Sequence, residues 1–353
     1  MKQFKKGSLF VLMLILVFAL AACGSSNKEP AGSAPVSPKA SPSASAPAAN
    51  SDLVVAGVVF QEDQFMKLLS LGYQDAAAAA GVKILTGNTA NDQGKEAELI
   101  NTYMSQKVNG IAIAPLNQDS SIAALKKADE KGVKVAVTNI SLTNAPFIVG
   151  GFTSDNVNIG ATTGEAAAQY IKDKLGGKAK IAILAFKGLL PEQSGDRVKG
   201  FVDAVKKVNP DVEIVAEQDA WLQDKAVQVA GDILTAHPDV NLIWAANEGG
   251  TIGAAMAVEN AGKAGKVMVF GTDASDQLVS MLKADDNILQ AITGQDPYNM
   301  GYQAMELLIK GLKGEDVSAS KGTTKIVNGI LLSRADPDGI SKFESDLKAK
   351  MSK

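Results

Sequence analysis

The 353-residue chain has one cysteine, Cys23, one histidine, His237, and only two arginines, Arg197 and Arg334. A single cysteine excludes an intramolecular disulfide and any cysteine-based metal cluster. A single histidine leaves little room for imidazole catalysis. His237 also stands before Pro238 at the expected end of a helix, a structural place rather than a cleft. Nucleotide signatures are lacking as well. No G-x-G-x-x-G follows the first apolar run and no G-x-x-x-x-G-K-[ST] occurs; Glu248-Gly249-Gly250 with Gly253 resembles a phosphate loop only loosely. No cofactor and no metal is therefore expected. Positive charge is not in excess either: the formal net charge is −3, which argues against a nucleic-acid partner. Asp63 and Asp273 could pair as in glycoside hydrolysis, but that chemistry needs a defined carboxyl separation, which spacing along a chain does not supply. The absences point away from an enzyme.

What is present begins with a leader. Lys2, Lys5 and Lys6 precede an apolar run from Leu9 to Leu20, which ends in Leu20-Ala21-Ala22-Cys23. A basic start, a short apolar core and small residues at the cut describe a secretory signal over residues 1–22. The run is shorter than the ~20 apolar residues of a membrane span. Leu-Ala-Ala-Cys resembles a bacterial lipobox, so Cys23 is expected to carry lipid and hold the protein on the outer face of the cell membrane. Removing the three leader lysines takes the net charge to −6. Residues 23–52 are rich in Ala, Ser, Pro and Gly and cannot bury enough apolar surface to offset their ordering entropy. They read as a tether with a reach of about 30 Å.

From Leu53 the pattern becomes strand-helix alternation. LVVAGVVF (Leu53 to Phe60), VKILT (Val82 to Thr86), GIAIA (Gly110 to Ala114) and VKVAVT (Val133 to Thr138) are short runs, apolar on both faces, as in parallel sheets covered by helices. A second set follows: KIAILAF (Lys180 to Phe186), VEIVA (Val212 to Ala216), NLIWAA (Asn241 to Ala246) and KVMVFG (Lys266 to Gly271). Ala226, Val229, Ala230, Ile233 and Leu234 form a core-facing helical stripe between them. Two successive sets predict an α/β protein of two Rossmann-like lobes with parallel sheets.

In such sheets ligands bind beyond the carboxyl ends of the strands, so those positions matter most. They hold Asp63, Phe65 and Met66 after the first strand, Asn139 after the fourth, Trp221 and Asn247 in the second set, Asp273 after KVMVFG, and Gln295 after NILQAIT. Arg197 lies early in the helix of Val198, Phe201 and Val205. Planar polar side chains bracket neighbouring hydroxyls, and aromatic faces cover the C–H face of a sugar ring. Each acid or amide could equally cap the next helix. Arginine is scarce beside 33 lysines, and a rigid five-donor fork is used where geometry matters.

From about Leu53 to Leu332 the chain resembles the ribose/galactose-type binding proteins of bacterial ABC importers, which have the type I periplasmic-binding fold. The resemblance is carried by Thr153-Ser154-Asp155-Asn156 with Gly160, Thr235-Ala236-His237-Pro238-Asp239-Val240, Ala246-Asn247 before Gly253-Ala254, Gly271-Thr272-Asp273 and Gln295-Asp296-Pro297. It implies two lobes joined by a three-crossover hinge near Ser154, Gln295 and Lys325. The first lobe would be 53–154 plus 296–324 and the second 155–295 plus 325–336, followed by a C-terminal helix over 337–353. It further implies that Phe65 stacks on a monosaccharide with Met66 beside it, that Arg197, Asn247 and Asp273 hold hydroxyls, that Trp221 is the second lobe's aromatic wall, and that Gln295 sits by a crossover. Asn139-Ile140 stands where ribose binders place an acid followed by an arginine, and Asp63 replaces a common asparagine, so the likeness supports the sugar class rather than ribose. The implied partners are an ABC permease with its ATPase, and the implied state is a monomer. A lactose-type repressor would need an N-terminal helix-turn-helix where this chain carries its leader. Two further readings stand beside sugar import: a ligand-sensing lipoprotein for autoinducer-2 or another small polyol, and a nucleoside binder with a base between Phe65 and Trp221. A neighbouring permease gene with a doubled ATPase would favour import, and a histidine kinase would favour sensing.

Overall fold

The structure, a computed structural model, describes residues 52–351. The expected leader, Cys23 and the tether as far as Ser51 lie outside the described residues. The first set of strands is β1 (Val54–Val59), β2 (Lys83–Asn88), β3 (Gly110–Ile113), β4 (Lys134–Thr138) and β5 (Gly150–Thr153). The second set is β6 (Lys180–Ala185), β7 (Glu213–Asp219), β8 (Leu242–Ala245), β9 (Met268–Thr272) and β10 (Leu289–Gly294). Two short strands, β11 (Thr324–Ile326) and β12 (Ile330–Ser333), complete one sheet each. The spatial orders β11-β5-β4-β3-β1-β2 and β12-β10-β9-β8-β6-β7 repeat one topology twice. All pairings are parallel except that of β10 with β12.

The inner strands are buried along their length, as residues such as Val55, Ile111, Val135, Ile183 and Val269 require. Only the edge strands depart from the two-faced apolar reading. β2 and β7 are partly exposed and carry Lys83, Glu213 and Glu217, because nothing covers the outer side of a sheet's last strand. Between the strands of the first lobe's sheet run α1 (Gln64–Ala79), α2 (Gln93–Ser105) and α3 (Gln118–Glu130). The chain then passes from β5 into α4 (Asn156–Lys174), which packs on α5 (Pro191–Val208) in the second lobe. There α6 (Gln223–Ala236) carries the predicted stripe, all of it buried, and α7 (Glu248–Asn260) and α8 (Asp276–Lys283) follow. After β10 the chain returns through α9 (Pro297–Leu312), which packs on α1.

The third crossover differs from expectation. Lys325 lies in β11, which extends the first sheet beside β5, and the chain changes lobes only over residues 327–329 before β12. The whole stretch reads as one extended run, and only the pairing partners divide it. α10 (Pro337–Met351) is the expected C-terminal helix. It is tied to the second lobe by the Lys283–Glu344 ion pair at 2.9 Å and to the start of α9 by Lys350–Asp296 at 3.0 Å.

Capping residues set where the strands stop and the helices start. Asp63 caps α1, Asp155 caps α4, Asn247 caps α7, Ser275 caps α8 and Asp296 caps α9, each accepting a backbone N–H of the first turn. Prolines open α5 and α9, where an absent N–H costs nothing.

Candidate functional site

The carboxyl ends of both sheets face a common cavity between the lobes. Asp63, Phe65, Met66 and Asn139 line it from the first lobe, and Arg197, Asn247 and Asp273 from the second, with Gln295 at the second crossover. Every residue singled out in the sequence is there except Trp221. The Trp221 ring does not line the cavity; its backbone carbonyl accepts a bond from Asn247 Nδ2 at 2.9 Å. Its strand, β7, is the outermost of its sheet, so its carboxyl end lies to the side of the cleft.

The polar residues divide into two kinds. Asp63 and Asn247 are helix caps as well as wall residues. Asp63 Oδ1 accepts from Met66 N at 2.8 Å, and Asn247 Oδ1 accepts from Gly250 N at 3.2 Å. Asn139 and Asp273 are not caps. They occupy matching places after β4 and β9, and both adopt left-handed backbone, φ 70° and φ 75°, a region open to Asn and Asp at lower cost than to most side chains. Each backbone N–H reaches the neighbouring strand, Asn139 to the Phe152 carbonyl and Asp273 to that of Thr293. The repeated fold thus turns one amide and one acid into the cleft at equivalent positions. Asp273 does not cap α8, because Ser275 supplies that bond.

Asp273 is instead the centre of a network. Its Oδ2 accepts from Glu248 N at 2.8 Å and its Oδ1 from Gln295 Nε2 at 2.5 Å. Arg197 is 3% exposed and lies over the Phe186 ring, 5.3 Å from guanidinium carbon to centroid. Its Nε donates to Asn156 Oδ1 at 3.0 Å and its Nη1 to the Ala246 carbonyl at 2.8 Å, while Nη2 is bonded to no protein acceptor among the described residues. Burial lowers the Arg197 pKa, and the nearby Asp273 charge opposes that shift. Burial also raises Asp273, with the Arg197 charge pulling it back. Asp63 is pushed up to about 6, first by burial and further by Asp273, with the Met66 N–H bond acting against the shift. Glu248 is pushed up to about 8, chiefly by burial and then by the charges of Asp63 and Asp273.

The lobes are closed over this cavity. Asp276 N donates to Gln64 Oε1 at 3.0 Å, Phe65 N to Glu248 Oε2 at 3.2 Å, and Gln193 Nε2 to the Asn139 carbonyl at 3.0 Å, each bond crossing the cleft. Several wall residues were not singled out in the sequence: Phe60, Gln61, Phe186, Leu189, Leu190 and Gln193. The repeat could have found two of them, because Phe60 and Phe186 end the first strand of each set. Gln193 gives no such signal; it reads as an ordinary residue of the first turn of α5. Among the described residues no group of three or more His, Cys, Asp or Glu is placed to hold a metal ion, and no helix is long and apolar enough to cross a membrane.

Comparison with known proteins agrees with this architecture. A family profile described as a periplasmic binding protein domain matches residues 54–316. The D-allose-binding periplasmic protein of Escherichia coli is 31% identical over 279 residues, which are 74% of this chain and 86% of that protein. The ribose import binding protein of Salmonella typhimurium is 30% identical over 279 residues, 78% of this chain and 90% of its own length. Among solved structures, an ABC transporter periplasmic solute binding protein of Actinobacillus succinogenes with bound D-allose superposes with a TM-score of 0.72 at 25% identity, covering 82% of this chain and 100% of that one. These relatives are binding proteins of importers rather than enzymes, in line with the non-catalytic reading of the sequence.

Proposed function

Because the chain belongs to the family of periplasmic binding protein domains, we propose that it captures a monosaccharide in the interlobe cavity and delivers it to an ABC-type importer. The observation that carries this reading is the concentration of hydroxyl-binding groups at one point. Arg197 offers Nη2, Asp273 and Asn139 offer oxygens at matching strand ends, and Phe65 offers an aromatic face. Each of these supports recognition of a ring with adjacent hydroxyls: acids accept, the guanidinium donates, and the aromatic face meets C–H groups. Phe65, Asp63, Met66, Asn139, Arg197, Asn247, Asp273 and Gln295 form the proposed ligand shell. With Trp221 outside the cavity, the base-sandwich arrangement of a nucleoside binder loses one of its two rings.

A thermal-shift screen of pentoses, hexoses and polyols, with D-allose and D-ribose among them, tests the proposal. A sugar at a thousand times its Kd should stabilise the folded chain by about 4 kcal/mol. Absence of stabilisation by every sugar and polyol in the screen would overturn the reading. Affinity should be micromolar or better, about −8 kcal/mol, with a heavy loss for an analogue lacking one bonded hydroxyl. Trp221→Phe, by contrast, should leave the affinity within about 0.5 kcal/mol of wild type, since the ring is outside the cavity and the bond to Asn247 comes from the backbone.

The anchoring of Cys23 belongs to the same proposal: a lipidated N-terminus and the Ala/Ser/Pro tether keep the receptor near its permease. Cys23→Ala should move the protein from the membrane fraction to the soluble exported fraction.

A further inference from the structure

Glu248 stands at the first position of α7 in the second lobe, yet its side chain serves the first lobe. Its Oε2 accepts the N–H of Phe65, one of the orphan donors at the start of α1. Asp63, the cap of α1, is already committed to Met66 N. The N-terminus of α1 is therefore completed by an acid from across the cleft. From Glu248 the network continues through its own N–H to Asp273 and from Asp273 to Gln295 at the crossover. Glu248 also lines a second cavity, between the hinge and α10.

We propose that Glu248 is the positioning residue that latches α1 to the second lobe when the cleft closes, and that closing the latch takes up a proton. The proposal rests on reading the cleft as a ligand trap. Two physical facts carry it. The Phe65–Glu248 bond spans the cleft, so it exists only when the lobes are together. Closure also places a carboxyl that is 7% exposed beside two others, Asp63 on α1 and Asp273 after β9. Lys67 on α1 and Arg197 on α5 are the cations on this side, acting on Asp63 and Asp273 respectively. Across the second cavity stand Asp296 and Tyr298 at the start of α9, with Asp346 and Lys350 on α10, and Lys350 is already paired with Asp296. Burial first and then the acids Asp63 and Asp273 favour the protonated form of Glu248, and they outweigh the backbone N–H groups of Phe65 and Gln64, which favour the charged one.

The sign follows. In the closed state Glu248 holds its proton up to about pH 8; separated lobes return it to water and to the ordinary carboxylate range. The closed state binds the proton more tightly, so acidification favours closure. The effect is fully present near the ordinary carboxylate range and is lost as pH rises through about 8. Asp63, raised to about 6, adds in the same direction at lower pH.

Small-angle scattering on the purified full chain without sugar reads the latch directly. The radius of gyration should be smaller at pH 6 than at pH 9 in wild type. Glu248→Gln, which keeps the acceptor oxygen but cannot ionise, should hold the compact value at both. Calorimetric titration with D-allose gives the second readout: wild type should bind at least about tenfold more tightly at pH 6 than at pH 8, and Glu248→Gln with less than about a twofold difference. A wild-type radius that does not respond to pH, or a Glu248→Gln chain that keeps the wild-type response, overturns the latch. Failure of D-allose and the other sugars to bind at either pH would count against the sugar reading and leave the scattering result to decide the latch on its own. Should Glu248→Gln prove unstable, Glu248→Ala removes the same proton and should abolish the pH response in scattering.

Discussion

Replacing Arg197 by methionine is expected to weaken sugar binding by at least about a hundredfold, the largest loss from any single substitution in the cavity wall. Among the described residues Arg197 is the only cation that lines the cavity, and it lies close enough to Asp273 for each charge to shift the other. Methionine preserves much of the stem that packs near Phe186 but deletes the fork. The substitution removes the donor proposed for the sugar, strips Asn156 Oδ1 and the Ala246 carbonyl of their bonds, and leaves Asp273 without its opposite charge. Leaving a buried acceptor unpaired costs about 1–3 kcal/mol, so the two acceptors stripped by this change together account for about a hundredfold in affinity if the cost falls on the bound state. Arg197→Lys should rescue little, because a point charge on a flexible stem cannot donate to Asn156, Ala246 and a ligand in one plane. Calorimetric titration with D-allose or the best sugar of the screen checks both variants. A loss below about tenfold in Arg197→Met would remove Arg197 from the centre of the site.

The two arginines show how far scarcity could be read. Arg334 lies in the second lobe away from the cavity and donates to the carbonyls of Met281, Ala284 and Leu289, binding α8 to β10. Both arginines therefore stand where a fork is needed, but scarcity alone could not say which faces the cleft. Strand-end logic could, because a parallel strand fixes where its next residues emerge. That is why Asp63, Asn139, Asn247 and Asp273 were legible in the sequence. Trp221 follows the same rule and still misses, since edge position is a property of sheet order rather than of the strand's own residues. Glu248 was hidden for a different reason. An acid in the first turn of a helix ordinarily answers its own helix dipole, and nothing local marks one that reaches a helix 183 residues away in sequence. The third crossover was blurred because β11 and β12 are separated by three residues and read as one extended run.

The position of Arg197 in turn depends on a residue with no side chain, and Gly160→Val is the second substitution expected to have a large effect. A Cβ on Gly160 would lie 1.9 Å from the carbonyl oxygen of Arg197 and 2.8 Å from its carbonyl carbon. Opposite it, a Cβ on Gly200 would lie 2.0 Å from the Val157 carbonyl oxygen. α4 and α5 thus touch backbone to backbone, and the obstacle is a main-chain carbonyl that no rotamer change can move. Valine at Gly160 must separate the helices or bend α5, at a cost of about 3 kcal/mol and a Tm loss of about 6–10 °C. Because the contact is to Arg197 itself, the displaced turn carries the guanidinium away from Phe186 and Asp273, so sugar affinity should fall along with stability. Gly195 supplies the control on the same helix: a Cβ there meets nothing within 4 Å. Gly195→Ala should be neutral or stabilising by up to about 1 kcal/mol, as expected for replacing glycine inside a helix. Thermal unfolding of the two variants, followed by titration with the same sugar, separates a packing contact from a general intolerance of side chains. An unchanged Tm and affinity in Gly160→Val would mean that the α4–α5 contact does not set the place of the arginine.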